Sequence, residues 1–81
     1  MNPEELNVLI EEGREIEFLF EGRKYSITYG MVDDNEVISF CEFYQETTEV
    51  TTVGELLAIR RYGKSVEEML SRLSDNDIWI F

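Results

Sequence analysis

Apolar residues first recur at intervals of three and four, then switch to every second position. Leu6, Leu9 and Ile10 form a stripe that predicts a helix over about residues 3–12. Asn2 suits the N-cap, Pro3 the first helical position, and Glu5 completes a spacing like that of a capping box. Glu4 and Glu5 lie where the helix dipole favours negative charge, and Gly13 stands ready to end the helix.

The period of two begins with Ile16, Phe18 and Phe20 and resumes with Tyr25, Ile27 and Tyr29. Glu21-Gly22 between them reads as a two-residue turn. Phe20 then pairs with Arg23, Phe18 with Tyr25 and Ile16 with Ile27. That register gathers every large apolar residue except Leu19 on one face. After a turn at Asp33-Asp34-Asn35, residues 37–44 predict a third strand. Val37, Cys41 and Phe43 fall on one of its faces, and Ile38, Phe40 and Tyr44 on the other. Bulk on both faces predicts a central strand covered on both sides. The Thr-rich residues 46–52 predict an edge strand.

Thr52-Val53-Gly54-Glu55 and Ser65-Val66-Glu67-Glu68 both match the Ser/Thr-x-x-Glu box and predict two short helices. The first would carry Val53, Leu56, Leu57 and Ile59 and end at Tyr62-Gly63. The second would carry Val66, Met69, Leu70 and Leu73. After a turn at Ser74-Asp75-Asn76, residues 77–81 predict a final strand. The expected fold is one α+β domain over residues 1–81. It has an antiparallel meander sheet of four or five strands, an N-terminal helix and two short helices before a C-terminal strand.

Three stretches in this order are characteristic together. They are Gly13-Arg14-Glu15-Ile16-Glu17-Phe18, Phe20-Glu21-Gly22-Arg23-Lys24-Tyr25-Ser26-Ile27, and Glu55-Leu56-Leu57 followed by Tyr62-Gly63-Lys64-Ser65-Val66-Glu67-Glu68. The chain thereby resembles small uncharacterised acidic proteins of low-GC Gram-positive bacteria and their phages. The resemblance spans most of the chain, agrees with the fold reading and implies no particular activity.

Composition narrows the function. The 81 residues are 43% apolar and 12% aromatic, too rich for a disordered tail. There is no histidine, so the usual proton shuttle and the commonest metal ligand are missing. Cys41 is the single cysteine, which leaves no intramolecular disulfide and no thiolate cluster. Triads that need histidine are excluded within the chain. No apolar run is long enough to span a bilayer, and the acidic start is unlike a secretory signal, so a cytoplasmic protein is expected. Eighteen acidic against 7 basic residues give a net charge of −11, which disfavours direct nucleic-acid binding.

Candidate chemistry is sparse. Asp33-Asp34-Asn35-Glu36 has oxygen ligands for a hard cation but lacks the EF-hand spacing, and Asp75-Asn76-Asp77 reads the same way; both are better taken as solvated turns. Glu42, on the face of Ile38 and Phe40, is expected at the sheet margin. Cys41 is expected to be a buried packing residue. Trp79 is expected in the core, and Tyr62 stands evenly between core and partner anchor. Arg60, Arg61 and Lys64 are expected to complement a helix C-terminus. No catalytic, cofactor or metal site is expected. Between Lys24 and Arg60 the only charges are acidic: Asp33, Asp34, Glu36, Glu42, Glu46, Glu49 and Glu55. The reading is a non-enzymatic protein-interaction module for a partner with a basic patch, such as a phage or mobile-element inhibitor or an immunity-type protein. Its candidate contacts are Asp33, Asp34, Glu36, Glu46, Glu49, Tyr44 and Tyr62. The alternatives are acidity that serves only solubility on a structural homo-oligomer, and a small ligand-binding domain.

Overall fold

Asn2 caps the first helix as its spacing requires. In the computed structural model, which describes residues 1–81, α1 spans Pro3–Glu11. Asn2 Oδ1 accepts from the Glu5 N–H at 2.8 Å, and Glu5 Oε1 accepts from Asn2 Nδ2 at 2.9 Å. Leu6 and Ile10 are buried, and Gly13 turns the chain away at φ +72°.

Strand β1 (Ile16–Phe20) then pairs with β2 (Arg23–Val32) in the expected register: Phe20 opposite Arg23, Phe18 opposite Tyr25, Ile16 opposite Ile27. Glu21 and Gly22 sit at φ 49° and 80°, both left-handed, which makes the turn of the primed kind whose twist suits a tight hairpin. The second hairpin repeats the device. Asp33 and Asp34 take φ 51° and 66°, and β3 (Asn35–Glu42) runs back along β2. Strand β4 (Thr48–Val50), the edge strand expected over 46–52, is only three residues long.

Thr52 Oγ1 accepts from the Glu55 N–H at 3.1 Å and starts α2 (Val53–Ala58). Two very short strands follow, β5 (Arg60–Arg61) and β6 (Lys64–Ser65), paired with each other. Ser65 caps α3 (Val66–Arg72) through the Glu68 N–H at 3.1 Å. A 3-10 turn at Asp75–Asp77 leads into β7 (Ile78–Ile80), antiparallel to β1. The main sheet is antiparallel, in the order β4-β3-β2-β1-β7.

One face of that sheet makes the core. Ile16, Phe18, Phe20, Tyr25, Ile27, Ile38 and Phe40 meet Leu6, Ile10, Leu56, Val66, Met69 and Leu70 from the helices. Phe18, Tyr25 and Phe40 stack across three strands, with neighbouring centroids 5.1 Å and 5.5 Å apart. Each such side chain contributes about 1.5–3 kcal/mol by leaving water, so the sheet–helix contact holds the two layers together.

The structure corrects five expectations. Helix α2 stops at Ala58, so Tyr62-Gly63 is the turn of the β5–β6 hairpin, at φ 52° and 80°. Arg60, Arg61 and Lys64 therefore lie on that hairpin and do not complement a helix end. The third strand ends at Glu42 and is covered on one face only. Tyr44, expected beside Ile38 and Phe40, instead leaves the sheet at φ 69° and is 99% exposed. Cys41 is half-buried on the uncovered face, beside Ser26 at 3.2 Å. Trp79 lies opposite Glu17 on that same face and is 40% exposed, outside the core.

Candidate functional site

The long β2–β3 hairpin sends one group of acids away from the others. β1 pairs with β2 only as far as Ile27, so residues 28–37 form an arm beyond it. Its tip carries Met31, Val32, Asp33, Asp34 and Glu36, all exposed. Tyr29 stands beneath it, and hydrogen bonding to Glu36 raises its hydroxyl pKa. Glu46 lies past the other end of β3, about 24 Å away along an eight-residue strand. Glu49 faces the open side of the sheet from the short edge strand, opposite Ser39. The structure thus groups Asp33, Asp34 and Glu36, sets Glu46 near Tyr44, and leaves Glu49 between them.

Besides Glu36 beside Tyr29, two of the seven acids between Lys24 and Arg60 are engaged internally. Glu55 Oε1 accepts from Thr51 Oγ1 at 2.8 Å, Thr51 N at 3.3 Å and Thr52 Oγ1 at 3.1 Å. These donors hold its pKa below the ordinary 4.5, the Thr51 hydroxyl contributing most. Glu42 sits at the sheet margin, as expected from its face. Its carboxylate accepts from the Tyr62 hydroxyl at 2.9 Å and faces Arg23 Nη1 at 3.5 Å. Arg23 lies 3.7 Å over the Tyr62 ring and also donates to its hydroxyl at 3.0 Å. Tyr62 is therefore held in place on the surface. The hydrogen bond to Glu42 raises its pKa, while burial, then Glu42, raise that of Tyr25 behind it.

Two surfaces escaped the sequence reading. On the open face, Lys24 lies 5.0 Å from the Phe43 ring and 5.2 Å from the Trp79 ring, and Phe43 meets Tyr44 edge-on at 6.2 Å. With exposed Leu19, these make an aromatic strip across one end of the sheet. The alternation of Ile78, Trp79 and Ile80 did signal which of them share a face. What it lacked was the pairing of β7 with β1, which decides the face.

The second surface is a groove of about 630 Å³ on the helical side, beside β7. Leu57, Leu70, Ile78 and Ile80 form its apolar floor, and Glu5, Glu67 and Asp75 stand on its walls. Met1 also lines it, with the ammonium group donating to the Leu70 carbonyl at 3.0 Å. No group of His, Cys, Asp and Glu side chains is arranged to hold a metal ion, and no helix is long and apolar enough to cross a membrane. No family model, curated protein or solved structure matches the chain.

Proposed function

We propose that this protein is an interaction module that binds the basic patch of another protein in the cytoplasm. The observation that supports it is the state of the charges. All seven basic side chains are engaged within the molecule. Arg14, Arg23, Lys24, Lys64 and Arg72 pair with Glu12, Glu42, Glu17, Glu21 and Glu68. Arg60 donates to the Gly63 carbonyl, and Arg61 to Thr48 and the Arg60 carbonyl. Only those five of the 18 carboxylates have a cationic partner. The other 13 carboxylates have no cation beside them, and this surplus of negative charge steers a positively charged surface inward. An inhibitor or immunity-type protein of a phage or mobile element would use such a field to occupy the site of a nucleic-acid-binding enzyme. Asp33, Asp34, Glu36, Glu46 and Glu49 supply the charge, and Tyr44 and Tyr62 the aromatic anchors.

An affinity pull-down supplies the partner, and its association rate across a salt series tests the reading. A rate that falls steeply with salt, and falls again when Asp33, Asp34, Glu46 and Glu49 are neutralised, supports it. A rate indifferent to both refutes it. A structural homo-oligomer is the second reading, favoured by the uncovered sheet face. A molar mass by light scattering that stays monomeric as concentration rises sets it aside.

A further inference from the structure

β7 is an edge strand protected only by its shortness, three residues. Nothing pairs with its far side, and its sequence Ile78-Trp79-Ile80-Phe81 contains no charge, proline or bulge. The Phe81 N–H donates to the Glu15 carbonyl at 2.8 Å, toward β1. By the alternation of an antiparallel ladder, Trp79 also turns its backbone toward β1, while Ile78 and Ile80 turn their N–H and C=O groups outward. The side chains of Ile78 and Ile80 point toward the helical layer, opposite Phe18 and Ile16, and form part of the groove floor. A strand added beside β7 would therefore gain main-chain hydrogen bonds and place every second side chain over the groove.

The groove specifies those side chains. Its floor is aliphatic, with Leu57 and Leu70 beneath, and its walls carry three carboxylates, Glu5, Glu67 and Asp75, against one cation, the Met1 ammonium, which is already bonded to the Leu70 carbonyl. Lysine and arginine fit such a surface, because their stems lie on apolar atoms while the charged head reaches a carboxylate. A second copy of this chain does not fit. It would bring Ile78-Trp79-Ile80 with its own Glu67 and Asp75, and net charges of −11 repel.

We infer that the β7 edge and the adjoining groove bind an extended segment of a basic partner, with lysine or arginine at alternate positions over Glu67 and Asp75. This inference rests on the reading of the protein as a binder of basic partners and adds a contact for that partner at the sheet edge opposite β4, apart from Tyr44 and Tyr62.

The test titrates the ¹⁵N-labelled protein with a synthetic peptide of alternating lysine and valine, and with a peptide of the same composition whose lysines are contiguous. With the alternating peptide, the backbone signals of Ile78 and Ile80 should shift to saturation; the contiguous one should bind more weakly. Glu67→Gln with Asp75→Asn should weaken binding of the alternating peptide by about tenfold, the effect of roughly 1.4 kcal/mol. Ile80→Pro removes an outward N–H that no internal bond uses and should abolish the shifts while the remaining spectrum stays folded. The carboxylate pair keeps the test open if that variant fails to fold. Shifts confined to the arm tip at Asp33, Asp34 and Glu36 would overturn the groove and leave the proposed function standing. Equal binding of both peptides, or no shifts with either, would also overturn it. So would protection of the Ile78 and Ile80 amides by self-association in the absence of peptide.

Discussion

The Tyr62 hydroxyl donates to Glu42 Oε1 at 2.9 Å, tying the β5–β6 turn to the last residue of β3. Tyr62→Phe keeps the ring under Arg23 and removes the donor from a carboxylate in the sheet margin. A lower denaturation midpoint at neutral pH is expected. The pKa of Tyr62 is raised from 10.0 by this bond, so the contribution is whole below pH 10.0 and is lost as pH rises through the raised value. The gap between wild type and variant should therefore close in alkaline solution, which urea titrations above and below that pH will show.

That contact also marks where the sequence stops being legible. Leu56, Leu57 and Ile59 continue a helical spacing toward Tyr62, and nothing local says that the helix ends at Ala58. A tyrosine at φ 52° is a costly turn residue, held there by Glu42 and Arg23, which are twenty and thirty-nine residues away. The first hairpin was readable for the opposite reason. Its period of two and the two-residue turn are local, and a slip by one residue would expose Phe18 and Tyr25 together. Alternation likewise separated Cys41 from Phe40, but only the placement of all three helices on one side leaves Cys41 half-buried. The acids were visible as a run in sequence, whereas their scatter along an eight-residue strand was not.

Glu21 and Gly22 both take left-handed backbone, and Gly22 has open space where a Cβ would stand. Any cost of substitution there is conformational. Gly22→Val should lower stability by about 1–2 kcal/mol, since a β-branched residue resists positive φ. An unchanged midpoint in chemical denaturation would contradict the turn geometry.

Cys41 lies on the open face, so a thiol reagent should label it without denaturant. Cys41→Ser should cost less than about 1 kcal/mol, because a hydroxyl can replace the thiol beside Ser26 and little apolar area is lost. Labelling that waits for unfolding would place the side chain under cover.

Glu55 gathers three donors at the start of α2, and its pKa lies below the ordinary 4.5. Its stabilising effect is present above that value and is lost as pH falls through the depressed one. Glu55→Gln should lower the midpoint at neutral pH, and the deficit should shrink in acid. A deficit that is the same at every pH would show that the loss does not come from the ionised carboxylate, and no deficit at all would show that the amide and the carboxylate cap α2 equally well.

Asp33, Asp34, Glu46 and Glu49 make no ion pair. Each therefore repels the surplus negative charge and gives back nothing to the fold. Asp33→Asn, Asp34→Asn, Glu46→Gln and Glu49→Gln together should hold stability within about 0.5 kcal/mol or raise it. Added salt should stabilise the wild type more than the variant, because screening relieves a repulsion that the variant has already lost. A lowered midpoint would mean that these acids support the fold. The same variant should associate with a basic partner more slowly and with a flatter salt dependence, since long-range steering acts on encounter. If both proteins bind equally fast, the acids serve solubility alone, and recognition passes to Tyr44, Tyr62 and Trp79, whose burial responds little to salt.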